Sequence, residues 1–193
     1  MLIVGAYAQT GAVQPIRNFD AEQYLGTWYE IASIPMWFQR NCAYGTKAVY
    51  GKSDSESQLT VDNSCMTMEG ETERATGRAR FAESPTTGAL EVTFVELLGY
   101  WLWPLSGDYI IFDIDPEYRW VAVGHPDRDY GWILSRSKTL DVDTLRLIET
   151  RFKLAGYDSC QLLMSSQDEP AAKKDRKPLC EVTGLGQGMT LEL

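Results

Sequence analysis

The pattern that most limits the fold of this 193-residue chain is alternation. Between Gly26 and Arg136, apolar and polar side chains exchange places residue by residue in about eight short runs. Period 2 is the signature of a strand with one face buried. Residues 26–32 open the series with aromatic and β-branched side chains, and a short run over 46–51 follows. Leu59, Val61 and Asn63 alternate with Thr60, Asp62 and Ser64; Ala75, Gly77, Ala79 and Phe81 alternate with Thr76, Arg78 and Arg80. Leu90, Val92 and Phe94 interleave with Glu91 and Thr93, and runs over 109–114, 120–123 and 132–134 complete the set. The connections at 52–56, 84–88, 115–117 and 125–129 are polar, three of them with a proline suited to a turn. Successive short hairpins make a meander, and eight strands suffice to close one into a barrel without exposed edges. The expected class is therefore all-β, an eight-stranded antiparallel up-and-down β-barrel.

One helix is predicted after the strands, over about residues 142–155. Val142, Leu145, Ile148 and Phe152 share one face, which packs against the barrel. Asp141 is the expected N-cap, Leu140 with Leu145 a hydrophobic staple, and Gly156 the C′ residue. Residues 161–164 read as one further strand. The chain then divides into an N-terminal segment (1–15), a barrel with its helix (16–165) and a polar tail (166–193). That tail is expected to be flexible except where Cys180 holds it.

Composition narrows the function. Eighteen Lys and Arg stand against 27 Asp and Glu, a net charge of −9, which argues against nucleic acid as a partner. The single histidine, His125, excludes a zinc site built mainly from histidine, and any Ser-His-Asp catalyst would need it. There is no Gly-x-Ser-x-Gly elbow and no phosphate-cradling glycine loop. No enzymatic activity, catalytic residue, cofactor or metal is expected. At the N-terminus, Ala6-Tyr7-Ala8 before Gln9 fits the pattern preceding a secretory cleavage site. Either the stretch is a short apolar start without meaning, or it is the remnant of a longer signal peptide.

Two segments carry a resemblance. Asn18-Phe19-Asp20 followed by Tyr24-Leu25-Gly26-Thr27-Trp28-Tyr29-Glu30-Ile31-Ala32 resembles the first signature of the lipocalins. Residues 126–130 followed by Trp132-Ile133-Leu134-Ser135-Arg136 resemble the segment that supplies an arginine beneath the lipocalin barrel. Gly107-Asp108-Tyr109 and Asp113-Ile114-Asp115 stand where similar sequences carry the middle signature. The resemblance spans about residues 18–162 and is nearest to bacterial lipocalins, apolipoprotein D and plant temperature-induced lipocalins. It implies a cup closed by Gly26, Trp28 and Arg136 at one end and open at the other. It also implies carriage of a small hydrophobic ligand, a fatty acid or lysophospholipid, in the cell envelope. A carrier of pigment or isoprenoid (tetrapyrrole, retinoid, carotenoid) and a protein-interaction module are the alternatives.

The expected ligand contacts are Phe38, Phe94, Trp101, Trp103, Tyr109 and Ile111. Val92 and Trp120 are further candidates for the barrel interior. The apolar loops also suit peripheral membrane contact, and the sequence sets no oligomeric state. Arg78 and Arg80 read as a solvated outer row rather than an anion site. For the cysteines, a hairpin register pairing Cys42 with Cys65 would set Val49 opposite Gln58 and centre the turn at Ser53–Asp54. Cys160 would then pair with Cys180, and short loops close more easily. The rival pairing, Cys42–Cys180 with Cys65–Cys160, has precedent in the resembled family. Either implies an oxidising, extracytoplasmic compartment, periplasmic or secreted.

Overall fold

In the computed structural model, residues 12–55 and 57–185 are described. The N-terminal stretch with the cleavage-like pattern and the end of the tail lie outside them. Eight antiparallel strands form the barrel: β1 (Gly26–Ser33), β2 (Tyr44–Lys52), β3 (Gln58–Met66), β4 (Thr72–Phe81), β5 (Ala89–Thr93), β8 (Gly107–Ile114), β9 (Trp120–Gly124) and β10 (Gly131–Ser135). Each pairs with the next, and β10 closes on β1 with Tyr29 opposite Ser135. Between β5 and β8 stands a small hairpin, β6 (Glu96–Leu97) and β7 (Tyr100–Trp101). A two-residue strand, β11 (Leu163–Met164), adds to the outer edge of β1.

The expected alternation holds on most strands and feeds two cores. Inside the barrel lie Trp28, Tyr50, Leu59, Val61, Ala79 and Leu90, among others. The second core lies between the barrel wall and helix α2 (Val142–Leu154) and includes Ile31, Ala122, Ile133, Leu145, Ile148 and Phe152. Trp120 belongs to this second core, a correction to its expected inward position: Val121 and Val123 are the residues of β9 that point inside. In β8 Phe112 points outward and meets Phe152 edge-on at 4.9 Å, and a register shift between Ile111 and Asp113 accompanies the return of Ile114 to the inner core.

Helix α2 has the predicted ends. The Asp141 carboxylate accepts from Thr144 N at 2.9 Å, and Gly156 follows at φ +86°. Short helices α1 (Ala21–Tyr24) and α3 (Leu179–Thr183) flank the barrel in sequence.

The disulfides are Cys42–Cys65 and Cys160–Cys180. The register that suggested the first is corrected: Val49 faces Asp62 and Lys52 faces Leu59, four residues from the expected alignment. Cys42 precedes β2 and reaches Cys65 from the loop, past an irregularity between Tyr44 and Lys47. Every cysteine is paired, so thiol titration of denatured, unreduced protein should detect no free thiol, and four after reduction. Any reactive thiol before reduction would contradict the pairing.

The segment expected to be a flexible tail is instead packed as far as residue 185. Ser165 N donates to Ile31 O, Gly45 N donates to Ser166 O, and the buried Gln167 amide donates to Glu30 O and Thr46 O. Leu179 and Thr183 are buried beneath α2. There the buried Glu149 carboxylate accepts from Ser159 Oγ at 2.6 Å and from Thr183 Oγ1, and pairs with Lys153 at 2.8 Å. Polar composition misled here because these polar groups bond to the barrel rather than to water.

Candidate functional site

One end of the barrel is sealed. Asp20 caps α1, accepting from Glu22 N at 2.9 Å; α1 delivers Tyr24, and Phe19 just before the cap joins it in the inner core. The Trp28 indole donates to Tyr24 O at 2.8 Å. The Arg136 guanidinium lies 3.8 Å from the Trp28 ring centre and donates to Thr27 O and Gln23 O. Gly26 adopts φ +96°, and a Cβ there would sit 3.4 Å from Arg136 Nη1. The glycine is thus required by its backbone conformation, while the arginine stands at ordinary contact distance. The resemblance placed Gly26, Trp28 and Arg136 together at this end, and they meet there.

The other end opens between the loops at 34–43, 67–71, 94–106 and 125–130. Two contiguous cavities run inward from it. The upper one, about 240 Å³, is lined by Phe38, Cys42, Cys65, Glu73 and Ala75 among others. The lower one, about 60 Å³, is bounded by Ala48, Tyr50, Tyr109, Trp132 and Leu134. Gln39, Thr46 and Asn63 line both and form the waist between them.

Three phenols meet near the lower cavity. Tyr24 Oη lies 2.7 Å from Tyr109 Oη, and Tyr50 Oη donates to Tyr109 Oη at 2.9 Å. Burial pushes the Tyr50 hydroxyl up to about 12 and holds Tyr24 and Tyr109 well above the ordinary tyrosine value. All three are therefore neutral donors and acceptors at physiological pH. The Tyr109 ring is stacked on Trp132 with centres 6.3 Å apart.

One wall of the cup is polar. Glu30 points inward from β1 and is buried, its carboxylate accepting from Gln39 Nε2 at 2.8 Å, Ser33 Oγ at 3.0 Å and Ser165 Oγ. These bonds give partners to acceptor atoms that burial would otherwise leave unsatisfied. They also tie the mouth loop carrying Phe38 to the barrel. Arg176 reinforces the tie by donating to Cys42 O at 2.9 Å.

Of the residues read as ligand contacts, Phe38 lines the upper cavity and Tyr109 the lower. Ile111 is fully buried in the inner core below them. The Phe94 ring covers Gly77, whose absent side chain makes room for it. Trp101 and Trp103 are placed differently: they lie over Arg78 and Arg80, with guanidinium-to-ring distances of 5.0 and 4.4 Å. Arg78 and Arg80 flank the inward Ala79 and so face outside, and Arg80 pairs with Glu91 on β5 at 2.7 Å. The outer arginine row was expected; its indole cover was not. Tyr24, Tyr50, Trp132, Glu30 and Gln39 were missed as a group. They come from α1, β2, β10, β1 and the mouth loop, so only the closed barrel brings them together.

Fold and site define a class: an antiparallel barrel, plugged at one end and open at the other, whose interior receives a small hydrophobic molecule. The chain belongs to the lipocalin family; that family's lipocalin-like domain matches residues 19–167. It is similar to the outer membrane lipoprotein Blc of Escherichia coli K12, 34% identical over 155 residues that cover 80% of this chain and 83% of that protein. It is also similar to temperature-induced lipocalin-1 of Arabidopsis thaliana, 29% identical over 167 residues, covering 86% and 89%. Among solved structures, insecticyanin from the tobacco hornworm Manduca sexta shares the fold, with a TM-score of 0.64, 22% identity and coverage of 82% and 86%. Lipocalins are in general carriers of small hydrophobic ligands rather than enzymes. The two disulfides fit an extracytoplasmic location.

Proposed function

We propose that this protein binds and carries a single-chain lipid, a fatty acid or lysophospholipid, in the periplasm or outside the cell. The observation that carries this reading is the shape of the cup. Its two compartments, about 240 and 60 Å³, together reach only the lower end of the ~300–1,000 Å³ range of small-molecule sites. The narrow lower compartment favours an acyl chain over a broad, rigid ring system. Burial of the chain supplies the binding energy, at about 25 cal/mol per Å² of apolar surface removed from water. The head group stays in the upper compartment near Phe38 and Phe94. The chain ends against Tyr50, Tyr109 and Trp132, with Ile111 packed below. The similarity to an outer membrane lipoprotein supports an envelope role.

Displacement of a fluorescent fatty acid tests the assignment. Phe38→Ala and Trp132→Ala should each weaken binding by about 1–3 kcal/mol. His125→Ala should leave affinity unchanged, because His125 lines neither cavity and its ring is packed on Tyr130 at 4.7 Å. Loss of binding in the His125 variant, with Phe38 and Trp132 variants unaffected, would overturn the apolar-cup assignment.

A further inference from the structure

Among the described residues, twelve large apolar side chains are exposed, and nine of them lie at the open end of the barrel. The other three, Val142, Leu147 and Leu154, belong to α2. The open-end group centres on two loops. One carries Trp37, 76% exposed, beside Phe38. The other is the hairpin of β6 and β7, whose tip is Leu98, 88% exposed, flanked by Leu97 and by Tyr100 at 75%.

The tip is built against backbone preference. Leu97 pairs with Tyr100, so Leu98 and Gly99 alone make the turn, at φ +52° and +83°. A two-residue turn with both φ positive favours Asn-Gly, since leucine there crowds its own backbone. Leu98 gains no packing in return, being almost wholly exposed. A strained, unpacked apolar residue at a projecting tip points to an external use. The hairpin is also braced from behind: Thr93 Oγ1 donates to Leu102 O at 3.2 Å, and the stacked pairs Arg78–Trp101 and Arg80–Trp103 hold its base on the outer wall.

We infer that this end of the protein docks on an electrically neutral lipid bilayer, with the Leu97–Leu98 tip and Trp37 entering the interface. Charge selects that occupant. Residues 35–43 contain Arg40 and residues 94–106 contain Glu96, so the two docking loops carry no net charge, while the other two mouth loops add Glu69, Glu71, Asp127 and Asp129 against Arg128 in a chain of −9. A zwitterionic surface matches the loops, whereas an anionic one repels the rest of the molecule. Shape selects it as well. A two-residue projection offers little area to a protein partner but enters a fluid interface readily, and Tyr and Trp favour that depth. The docked face is the mouth of the cup, with Phe94 between the tip and Gly77. Docking itself does not depend on what the cup binds.

Flotation of the full chain with phosphatidylcholine vesicles tests the inference. The wild-type protein should float with the vesicles. Leu97→Asp with Leu98→Asp should lose at least about tenfold in partitioning, while keeping its melting temperature and its fatty-acid displacement curve. Leu147→Asp, the same kind of change on α2, should float as the wild type does. Adding phosphatidylserine should weaken the interaction. Absence of wild-type flotation, undiminished flotation of the tip variant, or stronger binding to phosphatidylserine would overturn the proposal. So would light scattering that shows a dimer dispersed by the tip variant while neither protein floats: the face would then join two copies of the chain. Normal flotation with failed fatty-acid displacement would count against the cup's ligand and not against docking.

Discussion

Replacing Trp28 by alanine should destabilise the protein by about 3–5 kcal/mol, on the order of 10 °C in melting temperature. The indole is fully buried, and two neighbours, Tyr24 and Arg136, depend on it. Its N–H donates to Tyr24 O, its face carries the Arg136 guanidinium, and its ring packs tilted against the Tyr24 ring with centres 5.0 Å apart. Removal therefore opens a cavity at the plugged end and leaves a half-buried cation over it. Arg136→Ala should cost less, about 1–2 kcal/mol, because a cation over an aromatic face is worth roughly 0.5–2 kcal/mol and its backbone acceptors can turn to water. Urea unfolding of both variants checks the order. A Trp28→Ala loss below about 1 kcal/mol would show that the plug is not a keystone of stability.

Glu149→Ala should have the second largest effect, about 2–4 kcal/mol, together with loosening of α3, which the Cys160–Cys180 bridge keeps tethered. Burial alone would raise the Glu149 carboxyl, but hydrogen bonds from Lys153, Ser159 and Thr183 outweigh it and hold the group below its ordinary value. A carboxyl whose folded pKa lies below its unfolded value adds stability that is complete above the unfolded value. That stability is lost as pH falls through the folded one. The wild-type protein should therefore lose stability below about pH 4.5, and the variant should lose less over the same range. Thermal melts between pH 3 and 7 decide it: parallel curves for the two proteins would mean that Glu149 does not couple α3 to acid.

Much of the frame was legible because single-strand and single-helix rules suffice for it. Leu59, Val61 and Ala79 point inward as alternation demands, and Asp141 and Gly156 end α2 as their chemistry demands. Alternation failed where a second core competes for the other face. Trp120 packs under α2 because β9 is covered on both sides, so parity alone could not say which face was the cup. The first disulfide was paired correctly through a register four residues out, since Cys42 reaches its partner from a loop and not from a ladder. The site was less legible. Phe38 and Tyr109 line the cup, but the Tyr24–Tyr50–Tyr109 cluster joins residues far apart in sequence, and the inward Glu30 is recognisable only beside Gln39 and Ser165. Trp101 and Trp103 misled because an apolar run in a loop was read as facing a ligand, whereas the arginines of β4 offered them an outer berth.

The closure of β10 on β1 has a consequence for how the molecule is made. Every other pairing in the barrel joins consecutive barrel strands and can form as the chain lengthens. Tyr29, however, waits for Ser135, and the outer edge of Ala32 and Ser33 waits for Met164 and Leu163. A growing chain therefore carries an open, sticky strand at its front until nearly all of it has been synthesised. Joining the ends is the non-local and slowest kind of contact. During that interval Trp28 and the lining of the future cup stand open to water, so the birth of this protein is its period of greatest exposure to aggregation, and a partner that shields the first strand would act before any ligand can.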